Sequence, residues 1–138
     1  MSDRFQKGFN AHQHGLLRTL YGELVPRLEY IRVRPGWHRL VDEMFAQLGR
    51  LPDRRGLRVA RVETRNAGVL AIETTGLAAG AEDMIASTKE AARTTCEHCG
   101  KPARLVVKVS APFIELGDRL LCVDCAHMFH KEIAHDHG

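Results

Sequence analysis

The sequence predicts an α+β fold: a small helix and β-hairpin domain, followed by a C-terminal four-cysteine zinc ribbon and a terminal helix. Three observations carry this reading. Apolar residues recur at helical spacing through the first half. Two strand-like runs flank Arg65-Asn66-Ala67-Gly68. All four cysteines fall in the last third as two C-x-x-C pairs. The expected organisation is a flexible N-terminus over 1–15, the α+β helix and hairpin domain over 16–93, and the ribbon with its helix over 94–138.

Residues 1–15 are polar and rich in Gly, His and Gln, with His12 and His14 flanking Gln13, and read as a solvated start. From Leu17, apolar residues at Leu20, Tyr21, Leu24 and Leu28 keep spacings of three and four, an amphipathic helix that Pro26 would end or kink. Tyr30–Arg34 alternates apolar and basic side chains as a short strand or extended link, and Pro35-Gly36 breaks the chain. Trp37, Leu40, Val41, Met44, Phe45 and Leu48 then share one helical face, opposite Arg39, Asp42, Glu43 and Gln47, with Gly49 placed to stop the helix. Spacing this regular predicts that Trp37 and Phe45 are core rather than a binding stripe.

Leu51–Leu57 is turn-rich. Val59–Glu63 and Val69–Glu73 form the expected hairpin. Ala81–Arg93 reads as a helix, with Glu82 and Asp83 near its positive end and Arg93 near its negative end. Beyond the first cysteine pair, Leu105, Val107 and Val109 alternate, so Arg104–Ser110 should be a strand. Phe113–Leu116 and Arg119–Leu121 are expected to pair through a turn at Gly117-Asp118, and a last helix to run from about Ala126 to His135.

The chemistry lies in Cys96-Glu97-His98-Cys99 and Cys122-Val123-Asp124-Cys125. Two residues between cysteines let one short turn present both sulfurs to a single ion, and Gly100 suits the left-handed bend this needs. The intervening strand pair would carry the second turn beside the first and close a tetrahedral site. Cys96, Cys99, Cys122 and Cys125 are therefore the expected ligands of one structural Zn²⁺, with His98 and His127 outside the shell. A closed four-sulfur shell has no open position for activating water, which disfavours hydrolytic zinc chemistry. His130, Glu132 and His135 superficially resemble a zincin motif, but His130 and His135 are five residues apart and cannot share a helix face. A nucleobase deaminase would place H-x-E before P-C-x-x-C, the reverse of the order here. The adjacent Asp42 and Glu43 read as surface carboxylates, and a non-enzymatic protein is expected.

Net charge is +3, with 20 Lys and Arg against 17 Asp and Glu. One divalent ion held by four thiolates lowers that to about +1, a weak basis for gripping phosphates. The arginines at 27, 32, 34 and 39, and again at 54, 55, 58, 61 and 65, are interleaved with acids. No apolar run is long enough for a membrane span, and Met1–Asn10 lacks the apolar stretch of a signal peptide, so a cytoplasmic location is expected.

The order of features resembles a family of small uncharacterised proteins of bacteria and their phages. The matching residues are Gly36-Trp37-His38-Arg39-Leu40-Val41-Asp42-Glu43-Met44, then Thr95–Gly100, then Leu121–Ala126. The resemblance spans about residues 36–126 and implies the fold and zinc binding, not an activity. Where the family often carries Lys-Glu-Lys-Phe-Gly and a final His ligand, this chain has Glu63–Gly68 and Cys125. The functional expectation is a protein-interaction module, of phage or mobile-element type and directed at a host protein. The alternative is a regulatory DNA- or RNA-binding ribbon.

Overall fold

The computed structural model describes residues 11–109 and 117–128. The first helix, α1 (Ala11–Tyr21), starts earlier than its apolar pattern does. Its polar first turn is held from outside. Gln13 donates to Asp42, and the His14 ring lies 2.8 Å from the Pro26 carbonyl. The helix ends where Gly22 adopts φ 58°, so Leu24 reaches the core from a 3-10 turn and not from the helix. Leu17 is buried, whereas Leu20 remains 65% exposed.

A two-residue strand, β1 (Ile31–Arg32), runs parallel to β2 (Arg58–Thr64), which pairs antiparallel with β3 (Leu70–Thr75). Strand order is β1-β2-β3, so β3 lies at a sheet edge. Pro35–Trp37 forms a 3-10 turn that feeds α2 (His38–Gly49). Trp37, Val41, Met44, Phe45 and Leu48 are all fully buried, as the helical spacing predicts, and share a core with Ile31, Val59, Val62 and Leu70. The next helix, α3 (Ala81–Ala92), packs against α2 and carries Glu82 and Asp83 in its first turn.

The ribbon hairpin comprises β4 (Leu105–Val109) and β5 (Gly117–Leu121), in register from Leu105↔Leu121 to Val109↔Gly117. Gly117 and Asp118 are therefore strand residues opposite Val109 and Lys108, not the expected turn. The ladder that aligns buried Leu121 with Leu105 simply runs on through them, so a Gly-Asp pair that would suit a type II′ turn is used here as strand. Phe113–Leu116 lies outside the described residues. Helix also resumes earlier than expected, at 123, because Ala126 N–H already bonds the Cys122 carbonyl at 2.9 Å. Its continuation past 128, with His130, Glu132 and His135, lies outside the described residues.

This ribbon has its own small core. Among the described residues it has six buried members, of which three are cysteines and Ala103, Leu120 and Leu121 supply the hydrocarbon.

Candidate metal centre

Each cysteine pair is shaped by the backbone around it. In the first, Cys96 N–H bonds the Lys101 carbonyl at 2.7 Å and Gly100 N–H bonds the Cys96 carbonyl at 3.0 Å. Closing the turn this tightly puts Gly100 at φ 85°, where a side chain would be strained. The second pair spans the end of β5 and the first helical turn. Between them, the Thr95↔Pro102 bridge and the hairpin bring the two turns together.

The result is a cluster in which the sulfurs of Cys96, Cys99, Cys122 and Cys125 all lie within 4.8 Å of one another, with Cys99 and Cys122 at 3.5 Å. None is in a disulfide. A tetrahedral ion bound at about 2.3 Å by sulfur requires sulfurs about 3.8 Å apart, so the four could hold a metal ion with little movement. Neither His98 nor His127 belongs to the cluster.

The thiols do not titrate alike. Cys99 is exposed as a residue, but desolvation of its sulfur pushes the thiol up against the pull of a Lys101 backbone hydrogen bond. Burial pushes Cys125 well above the ordinary thiol range, and its three sulfur neighbours push the same way. At Cys122 burial also acts upward, but the Cys125 backbone hydrogen bond and the other three thiols outweigh it and bring the group down to about 7. Left alone, the cluster favours a thiolate at Cys122 and resists one at Cys99 and Cys125. A divalent cation is what lets four thiolates sit together.

The sequence did not disclose what holds the first pair against the larger core. Glu97, between its cysteines, has no exposed surface. Its Oε2 accepts from Gly68 N–H and Leu120 N–H, both at 2.9 Å, and its Oε1 lies 3.2 Å from Arg34 Nε, close as an ion pair but out of hydrogen-bond alignment. Its own amide donates to the Leu120 carbonyl, and its carbonyl accepts from Gly36 N–H, each at 2.9 Å. Trp37 Nε1 donates to the Thr95 carbonyl at 2.9 Å. Gly36 is packed so closely that a Cβ there would meet the Cys96 carbonyl oxygen at 2.1 Å. A glutamate flanked by cysteines ordinarily reads as solvated, and nothing in the order of residues links it to Arg34 or Gly68.

The other singled-out carboxylates have separate structural roles. Asp42 accepts from Gln13, and Glu43 pairs with Arg39 at 3.4 Å. Much of the arginine-rich surface is mixed in charge as expected, with Arg58–Glu23, Arg61–Glu63 and Arg65–Glu73 ion pairs. No helix among the described residues is long and apolar enough to cross a membrane.

No protein family, curated protein or solved structure matches this chain.

Proposed function

We propose that this protein is a non-enzymatic protein-interaction module braced by one Zn²⁺ on Cys96, Cys99, Cys122 and Cys125. The donor set supports zinc: four thiolates suit a soft ion without geometric demands of its own, and a closed shell leaves the metal a structural role. One observation carries the interaction reading. Strand β4 presents aliphatic side chains to solvent at successive positions, with Leu105 42% and Val106 58% exposed, while Val123 beyond the hairpin is 61% exposed. Successive strand residues point to opposite faces, so both sides of the hairpin carry uncovered hydrocarbon on a metal-stiffened platform. The resemblance to small proteins of bacteria and phages is what points to a host protein as the partner.

The test is site-directed photo-crosslinking from positions 106 and 123 in the zinc-loaded protein, in cell extract, with Val106→Asp and Val123→Asp as competitors. A saturable adduct that the aspartate variants cannot compete away is expected. Adducts that never saturate would end the reading.

A nucleic-acid reading has one observation of its own: Arg65, Lys89, Arg93 and Arg104 line a single groove. It requires binding to oligonucleotides that falls steeply with salt in a mobility-shift titration.

A further inference from the structure

Of the four cysteines, three are buried and one is not. Cys96 has no exposed surface and Cys122 and Cys125 are each 7% exposed, whereas Cys99 is exposed, as are Gly100, Lys101 and Pro102 after it. The first turn therefore offers one cysteine to solvent and keeps the other inside. Packing fixes the inner one: the Cys96 carbonyl lies against Gly36, and the Cys96 amide is bonded to the Lys101 carbonyl.

The Cys99 sulfur faces across to the other turn. It lies 3.5 Å from the sulfur of Cys122, which is 23 positions further along the chain. The two need to close by about 1.5 Å to reach the roughly 2.05 Å of a disulfide. Room for that movement is present. A cleft of about 630 Å³ opens beside Cys122, lined by Gly100, Pro102, Leu105 and Val123 among others. It also gives a small solute a path to this side of the cluster.

We infer that Cys99 is an oxidation site, at which a hydroperoxide converts the metal centre into a Cys99–Cys122 disulfide and expels its ion. A metal-held cysteine is already a thiolate, and oxidation selects thiolates that solvent reaches. The Cys99 sulfur attacks one peroxide oxygen. An S–O bond forms, the O–O bond breaks, and the leaving oxygen takes a proton and departs as water or an alcohol. The Cys122 sulfur then attacks the sulfenic acid on Cys99. An S–S bond forms, the S–O bond breaks, and the hydroxyl group leaves as water with a second proton. Together the two sulfurs lose two electrons, which the peroxide gains. Cys96 and Cys125 remain, too few donors for a closed zinc shell. The new bond joins the two turns rather than the two ends of one C-x-x-C, so it keeps the ribbon closed after the ion leaves. Oxidation and chelation thus act oppositely on the ribbon. This inference rests on the zinc-braced reading and goes beyond it by making the ion releasable.

The experiment titrates the zinc-loaded full chain with hydrogen peroxide, after its metal content has been measured. Zinc release is followed with an indicator dye. Disulfides are mapped by mass spectrometry after proteolysis at Glu97 and Asp124, which separates the two members of each pair. One ion released per disulfide formed, a Cys99–Cys122 link, and recovery of zinc binding with dithiothreitol are expected. Dimedone added with the peroxide should label Cys99 at least about tenfold more than any other cysteine. Cys99→Ser removes a ligand, so this labelling in the parent carries the assignment. Leu120 should keep its amide protection in the oxidised, zinc-free protein and lose it in the chelated, reduced one. A bond within either C-x-x-C pair, or preferential labelling elsewhere, overturns the assignment. Loss of Leu120 protection on oxidation overturns the closure of the ribbon by the disulfide. One bound zinc that survives the whole titration defeats the inference and leaves the zinc reading intact. A purified chain without zinc defeats both.

Discussion

A carboxylate without exposed surface is the hardest group in this chain to place, and Glu97 is placed by four residues from three segments: Arg34 and Gly36, Gly68, and Leu120. Removing one partner of such a buried pair leaves the other uncompensated, which typically costs about 3–5 kcal/mol. Glu97→Gln keeps the shape, and its oxygen can still accept from Gly68 and Leu120, but its amide must then face the Arg34 guanidinium, donor against donor. Glu97→Gln and Arg34→Met should each destabilise the zinc-loaded protein by about 3 kcal/mol, read from urea unfolding. Equal stability to the parent would mean that the pair is not structural. A second residue sets a pH response. Burial holds the His38 imidazole below its ordinary 6.5, more strongly than its bond to the Val33 carbonyl raises it. The unfolded chain then takes up a proton first, so folding stability falls as pH drops through 6.5 and stops falling below the folded-state value. His38→Gln should flatten that part of the stability–pH curve at constant zinc loading, and an unchanged slope would assign it elsewhere. The cysteines were legible because spacing alone limits what they can do. Glu97 was not, because its meaning comes from Arg34 and Gly68, which only the fold brings to it.

Among the elements, the entry to α2 is the joint on which the rest turns. Pro35-Gly36 reads from sequence as a break, and it is one, but the structure gives Gly36 a more particular task. Its missing side chain lets the backbone lie against the Cys96 and Glu97 carbonyls. Those neighbours are backbone, so a methyl group cannot be accommodated by a side chain swinging away. Gly36→Ala should cost about 3 kcal/mol, at the upper end for overpacking, and weaken zinc affinity by moving Cys96. Competition with a zinc indicator dye checks the second part, and unchanged affinity would show that the joint and the metal are independent. The legible elements were those whose pattern and burial agree: α2, the β2–β3 hairpin and α3. The start of α1 was hidden because its first turn is held by Asp42 and the Pro26 carbonyl rather than by apolar spacing. The β4–β5 register was hidden because it follows from burying Leu121, which local turn chemistry does not report.

On the scale of the whole molecule the two cores are unequal. Among the described residues the larger has sixteen buried members and can stand on apolar burial. Half of the smaller one's described buried members are cysteines, so with the proposed Zn²⁺ bound there metal binding and ribbon folding would be one free energy, and zinc at a thousandfold over its dissociation constant would add about 4 kcal/mol to it. Chelation should therefore unfold the ribbon and leave the larger core standing. Hydrogen exchange resolves the two. The amides of Val41, Phe45 and Val62 should keep their protection without metal, whereas those of Leu120 and Leu121 should lose it. Gly68 is the informative position, because by sequence it belongs to the β2–β3 hairpin while its amide is held by the Glu97 carboxylate. If Glu97 transmits the state of the metal, Gly68 loses protection together with Leu120, and the wall of the groove loosens with the ribbon. Protection at Gly68 that survives chelation would separate the hairpin from the metal centre.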